Sequence, residues 1–86
     1  MNTIENIHFT LLISINHQLH EFNFRQRNPD LYDADTGDER GNRCFFKMIR
    51  QEDRWRILGK DLPGWITGSE EKIHEGLVNK ESKIGL

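Results

Sequence analysis

Residues 7–26 alternate apolar and polar side chains in the way that β-strands do. The apolar positions are odd up to Ile15 and even from Phe22 onward, so a turn between them must reverse the parity. A loop of two residues after Ile15 pairs Leu11 with Phe22 and brings both apolar sets to one face. A three-residue loop would split that face. The pattern therefore predicts a β-hairpin with a connection of two or four residues.

The same alternation returns in residues 43–60 around the polar pair Glu52 and Asp53. A two-residue loop at that pair places Met48 opposite Ile57. The face that these two residues share is predicted to hold Cys44, Phe46, Met48, Trp55 and Ile57. A second β-hairpin is therefore expected, with Arg50 stacked on Trp55 as a cation–π pair.

Between the hairpins, residues 28–42 show no apolar period. The segment contains one proline and two glycines, and its part from Asp30 to Glu39 holds five acidic residues and no basic one. Such composition is typical of a connection without secondary structure. We therefore expect a mobile acidic loop at 28–42.

Residues 62–80 carry apolar side chains at helical spacing. The stripe consists of Leu62, Trp65, Ile66, Ile73 and Leu77, which fall on one side of a helix. The helix start is either at Pro63, as a first helical residue, or at a capping box of Thr67 and Glu70. Glycines at 64 and 68 predict a kink, and residues 81–86 a frayed tail.

Together these elements predict a single α+β domain over residues 1–86. Its core is a four-stranded antiparallel sheet from two sequential hairpins, about 7–26 and 43–60, with the helix packed across one face. A domain of this length buries about 60–65% of its unfolded surface, which leaves little room for an internal cavity.

The run from Trp55 to Ile66, WRILGKDLPGWI, follows an N-terminal hairpin that turns at Ile15, Asn16 and His17. In this order of elements the chain resembles small uncharacterised bacterial proteins with a hairpin, hairpin, helix plan. The resemblance covers most of the chain. It implies a fold and carries no activity to any residue.

Composition limits the cellular setting. Cys44 is the only cysteine, so an internal disulfide is excluded and a reducing compartment, the cytoplasm, is expected. The apolar run from Phe9 to Ile15 is too short to span a membrane, no Lys or Arg precedes it, and no small-residue cleavage site follows it. We expect neither a signal peptide nor a transmembrane segment.

The sequence offers little chemistry. Alternating carboxylates from Asp33 to Asp38 suggest calcium, but the spacing fits the helix-loop-helix calcium site poorly. The four histidines and Cys44 do not have the spacing of a zinc site. Cys44 shares its parity with core residues, which favours an inert thiol over a nucleophile. We therefore expect no catalytic residue, no metal and no cofactor, and the chain is not expected to be an enzyme.

Two kinds of partner stay open. The face of the sheet away from the helix is predicted to expose Leu12, Leu19, Phe45, Ile49 and Leu58, a surface suited to a homodimer or another protein. The alternative is weak binding of nucleic acid through the basic residues Arg43, Lys47, Arg54 and Arg56, although the net charge of −2 argues against a dedicated nucleic-acid protein. The favoured function is a non-enzymatic interaction module.

Overall fold

The computed structural model of the protein describes residues 7–83. It contains the strands β1 (His8–Ile15), β2 (Gln18–Asn28), β3 (Leu31–Gly37), β4 (Arg43–Gln51) and β5 (Arg54–Leu58), followed by the helices α1 (Gly64–Thr67) and α2 (Glu70–Lys83). The strands form one antiparallel sheet in the order β1-β2-β3-β4-β5. The α+β class expected from the sequence is confirmed.

Both predicted hairpins are present in the predicted register. Leu11 lies opposite Phe22 and Ile15 opposite Gln18 across the first turn. Met48 lies opposite Ile57 across the second turn. Each loop has two residues, and all four of these residues have positive φ, between 51° and 67°. This conformation is the type I′ turn, whose twist matches that of the strands it joins.

The prediction of four strands was wrong, because the segment expected to be a loop contains β3. Residues 31–37 lie between β2 and β4 and pair with both. Their alternation is real but weak: Tyr32, Ala34 and Thr36 are buried, whereas the residues between them are half-exposed. Alanine and threonine give little apolar signal at their positions, so the period escaped the sequence argument.

The core lies between the sheet and the helices. Its members are Ile13, Ile15, Phe22, Phe24, Tyr32, Ala34, Phe46, Met48, Trp55, Ile66, Ile73 and Leu77. Cys44 is half-buried and packs against this core, which is where its parity had placed it. Arg50 stacks on Trp55 with its guanidinium carbon 4.6 Å from the ring centroid, so the expected cation–π pair is confirmed.

The C-terminal segment forms two helices instead of the single helix predicted over 62–80. α1 is a single turn that ends at Thr67 with Gly68 as its C-cap, and α2 begins at Glu70. Neither predicted start occurs: Pro63 is the N-cap of α1, not its first residue, and the Thr67 hydroxyl donates to the Gly64 carbonyl. The apolar stripe nevertheless packs as predicted, since Ile66, Ile73 and Leu77 are buried.

α2 contacts both edges of the sheet, β5 and β1. Gly76 makes this possible on the β1 side, because a Cβ atom there would lie 2.8 Å from Cδ1 of Leu11. The helix also continues past the predicted boundary. Residues 81–83, expected in a frayed tail over 81–86, belong to α2, and Glu81 is buried; the rest of that tail lies outside the described residues.

Candidate functional site

The surface with the most varied chemistry is the side of the sheet turned away from α2, here named the outer face. Two rows of neighbouring residues cross it. One runs His8, Arg25, Asp33, Lys47 and Leu58, and the other runs Thr10, Asn23, Asp35 and Phe45. A depression of about 760 Å³ lies over these rows and touches all five strands. It is large enough for a small ligand or for part of a partner protein.

One row is a continuous polar network. The Thr10 hydroxyl donates to Asn23 Oδ1 at 2.7 Å, and Asn23 Nδ2 donates to Asp35 Oδ1 at 3.0 Å. Arg43 Nη2 forms an ion pair with the same Asp35 oxygen. The network therefore links side chains of β1, β2, β3 and β4, and it holds the acidic strand β3 between its neighbours.

The other row is organised around Asp33. Lys47 Nζ donates to one carboxylate oxygen at 2.6 Å, and Arg27 Nε donates to the other. These two hydrogen bonds, with that from Lys47 the stronger influence, hold the pKa of Asp33 below its ordinary value. Asp33 is therefore a fixed anion between two cations at neutral pH.

Four of the five residues predicted for a partner surface are exposed, but they do not form one continuous patch. Phe45 is 71% exposed and Leu58 is 52% exposed, and both line the depression. Leu12 and Leu19 are 62% and 69% exposed, but they lie on β1 and β2 at the other end of the network. Ile49 was predicted to be exposed but is half-buried. It lies beside Leu31 and Arg56 on the neighbouring strands.

The predicted basic surface is neutralised by its own neighbours. Each of its four members forms an ion pair: Arg43 with Asp35, Lys47 with Asp33, Arg54 with Glu71, and Arg56 with Glu70. A cation already paired with a carboxylate is a weaker ligand for phosphate, because the carboxylate must be displaced. The outer face is therefore mixed in charge and not a basic platform.

The acidic run from Asp33 to Asp38 does not converge on one point. Asp33 and Asp35 lie on the outer face with the basic partners given above. Asp38 closes the loop between β3 and β4, where Oδ1 accepts the backbone N–H groups of Arg40 and Asn42 at 2.9 Å. The bond from Asn42 is the main reason that the pKa of Asp38 is lowered. Among residues 7–83, no three His, Cys, Asp or Glu side chains form a group suited to a metal ion.

Several residues of this surface escaped the sequence argument. Thr10, Asn23, Asp33 and Asp35 were not expected in a partner site, since β3 was not expected as a strand. The sequence does contain a relevant pattern. Asp33 and Asp35 occupy alternate positions of one segment, and Arg43, Phe45 and Lys47 occupy alternate positions of the next. Acidic and basic residues at alternate positions of two segments can pair across adjacent strands. This pattern can be interpreted only when it is known that the two segments are adjacent strands.

No protein-family model matches the chain, and comparison with curated proteins and with solved structures gave no significant match. In the described part of the chain, neither helix is long and apolar enough to cross a membrane.

Proposed function

We propose that this chain is a small non-enzymatic interaction module of the cytoplasm that associates with a second copy of itself through the outer face. The observation that carries the proposal is the exposure of Phe45, a large aromatic side chain on β4 that lines the depression together with Leu58. Exposed aromatic and aliphatic side chains in a depression are typical of a docking surface.

The charges around Phe45 favour a second copy as the occupant. Asp33 lies next to Arg25, Arg27 and Lys47, and Asp35 is paired with Arg43, so the outer face presents both signs of charge within one patch. A twofold interface brings the same patch of two protomers together, and a patch of mixed sign can be complementary to itself. Because the cations and carboxylates of each outer face are already paired with one another, the outer faces of two protomers repel each other less.

The nucleic-acid alternative has less support. The four basic residues named for it are all paired with carboxylates, and within residues 7–83 Phe45 is the one exposed Phe, Tyr or Trp ring on which a base could stack. Binding of an oligonucleotide that weakens steeply with salt would favour this alternative over self-association.

The proposal is tested by light scattering or sedimentation over a dilution series, with Phe45→Ser and Val78→Ser compared with the parent chain. Val78 is also exposed, 45%, but it lies on α2 away from the outer face. We expect dimers that dissociate on dilution, a dissociation constant raised about tenfold or more by Phe45→Ser, and little effect of Val78→Ser. A parent chain that stays monomeric at millimolar concentration contradicts the proposal.

A further inference from the structure

The two edges of the sheet differ in how their outward backbone groups are bonded. On β5, the N–H groups that point away from the sheet belong to Trp55 and Ile57. They donate to His74 Nδ1 at 3.1 Å and to Glu70 Oε2 at 2.9 Å. Side chains of α2 therefore cover the β5 edge and close it to another strand.

The edge of β1 is left open over most of its length. The two-residue turn after Ile15 makes His8, Thr10, Leu12 and Ser14 the residues whose backbone groups point outward. Only the Ser14 carbonyl is bonded, by Lys72 Nζ at 2.6 Å. Among residues 7–83 the outward N–H and C=O groups of the other three have no hydrogen-bond partner. These groups are free to pair with an added strand.

A groove lies between α2 and the Leu11–Ser14 part of β1, next to the free edge at His8, Thr10 and Leu12. It has a volume of about 430 Å³, and its α2 side is formed by Lys72, Gly76, Asn79, Lys80 and Lys83. Because Gly76 has no side chain, α2 lies close to Leu11. A groove between an edge strand and a helix is the usual geometry for binding an extended peptide by strand addition.

The groove is positively charged. Within the described chain, Lys72, Lys80 and Lys83 form no ion pair, whereas the paired carboxylates of α2, at Glu70, Glu71 and Glu81, are bonded to β5 residues or to Arg50. Lys80 additionally lies over the Phe9 ring, with Nζ 5.5 Å from the centroid. Near the free edge, Lys80 and Lys83 are thus without a carboxylate partner among the described residues, and Lys72 adds a third positive charge at the end where its Nζ bonds to the Ser14 carbonyl. An occupant that supplies both strand backbone and negative charge is complementary to this site.

We propose that the β1 edge and the lysines of α2 form a binding site for an extended peptide segment of acidic composition. The peptide adds as a sixth strand beside β1, bonds to the outward backbone groups of His8, Thr10 and Leu12, and directs acidic side chains to Lys72, Lys80 and Lys83. At about 3.3 Å per residue, the free edge accommodates roughly five or six residues. This site shares His8 and Thr10 with the rim of the outer-face depression, but it uses their edge backbone groups, does not involve Phe45 or Leu58, and does not depend on self-association.

The lysines also argue against a second copy in this position. Antiparallel pairing of two β1 edges about a twofold axis would bring the α2 lysines of one chain close to those of the other. Like charges at such distances disfavour pairing. An acidic peptide relieves the same charge.

The test uses the full chain and an acetylated, amidated hexapeptide of alternating Glu and Val, with the Lys–Val hexapeptide as its charge control. We expect amide NMR shifts centred on His8, Thr10 and Leu12 with the acidic peptide only, and binding that weakens with salt. N-methylation of every second residue should abolish binding in one parity and preserve it in the other, because a strand presents alternate N–H groups to each side.

Variants separate this site from its alternatives. Lys80→Glu combined with Lys83→Glu should weaken binding about tenfold, whereas Lys60→Glu, a charge reversal of an exposed residue outside the groove, should not. Phe45→Ser should leave peptide binding unchanged whatever it does to self-association. Absence of binding, equal binding of the basic peptide, retention of binding by both methylated peptides, or shifts centred on Phe45 and Leu58 would each overturn the proposal.

Discussion

The backbone N–H of Trp55 donates a hydrogen bond of 3.1 Å to Nδ1 of His74. Trp55 lies on the edge strand β5 and His74 on α2. One turn earlier in the helix, Glu70 accepts the next outward N–H of the same strand, that of Ile57. Two side chains at helical spacing thus supply the acceptors that a neighbouring strand would otherwise supply. The helix stabilises the edge as well as the core.

This arrangement predicts that His74→Ala lowers the free energy of unfolding by about 1–3 kcal/mol, since the Trp55 N–H is left without an acceptor in a part-buried position. Urea unfolding measures the loss. Hydrogen exchange should show the matching local effect, with faster exchange at the Trp55 amide than in the parent chain.

His8→Ala is the matched control. His8 lies on β1, is exposed and accepts no such bond, so its replacement should change the free energy of unfolding by less than about 0.5 kcal/mol. Equal destabilisation by the two variants would contradict the role assigned to His74.

The sequence was sufficient for the parts of the fold that depend on local pattern. Parity across a short turn determined the pairing of Leu11 with Phe22 and of Met48 with Ile57, and helical spacing identified Ile73 and Leu77 as core residues. In each case the residues that carry the information lie within one hairpin or one helix. Bulky side chains at the buried positions made the period unambiguous.

β3 could not be predicted for the opposite reason. Its outward residues Asp33 and Asp35 disfavour a strand by composition, and they are stabilised by Arg27, Lys47 and Arg43 from the strands on either side. That stabilisation is non-local. The same holds for Glu70, whose place in a capping-box pattern concealed its bond to β5. The candidate sites were missed to the extent that they depend on β3 and on the edges of the sheet.

The turns offer a test of stored backbone strain. Asp53 has a φ of 67°, a left-handed conformation that costs a residue with a Cβ atom about 1–2 kcal/mol. Asp53→Gly removes this cost but increases the freedom of the unfolded chain, which returns part of the gain. We expect a net stabilisation of about 0.5–1 kcal/mol in urea unfolding.

Gly41→Ala is the reverse experiment. Gly41 has a φ of 85°, and a Cβ atom there would contact nothing within 4 Å. Any loss of stability therefore comes from the backbone conformation and not from a clash. A loss of about 1 kcal/mol is expected, and a gain would show that the loop relaxes to another conformation.

The ion pairs of Asp33 predict a dependence of stability on acid. Because its folded pKa is lowered, the stabilisation is present above the ordinary value of 3.8 and is lost as the pH falls through the folded value. Asp33→Asn should cost about 0.5–1 kcal/mol at neutral pH and nothing once the carboxyl is protonated. Urea unfolding of both chains at neutral pH, and again at a pH at which the Asp33 carboxyl is protonated, measures this difference. Glu39→Gln, a change of an exposed residue in the loop after β3, is the control and should change the free energy of unfolding at neutral pH by less than about 0.5 kcal/mol.

The Tyr32 hydroxyl predicts how the stability of the fold changes at alkaline pH. Tyr32 is fully buried, and its hydroxyl donates to Glu81 Oε2 at 3.0 Å. Burial is the largest cause that raises the pKa of Tyr32 above its ordinary value of 10.0, and the bond to the Glu81 carboxylate adds to it. The folded state therefore retains a proton that the unfolded state releases.

A raised folded pKa means that the stabilisation is complete below pH 10.0 and declines as the pH rises further, by about 1.4 kcal/mol per pH unit from this group. Tyr32 is the only tyrosine, so tyrosinate absorbance reports it directly. We expect that absorbance to appear only together with alkaline unfolding, and the unfolding free energy of Tyr32→Phe to decline less steeply above pH 10.0. Tyrosinate formation in a chain that is still folded would show that the hydroxyl is accessible and that the bond to Glu81 does not hold its proton.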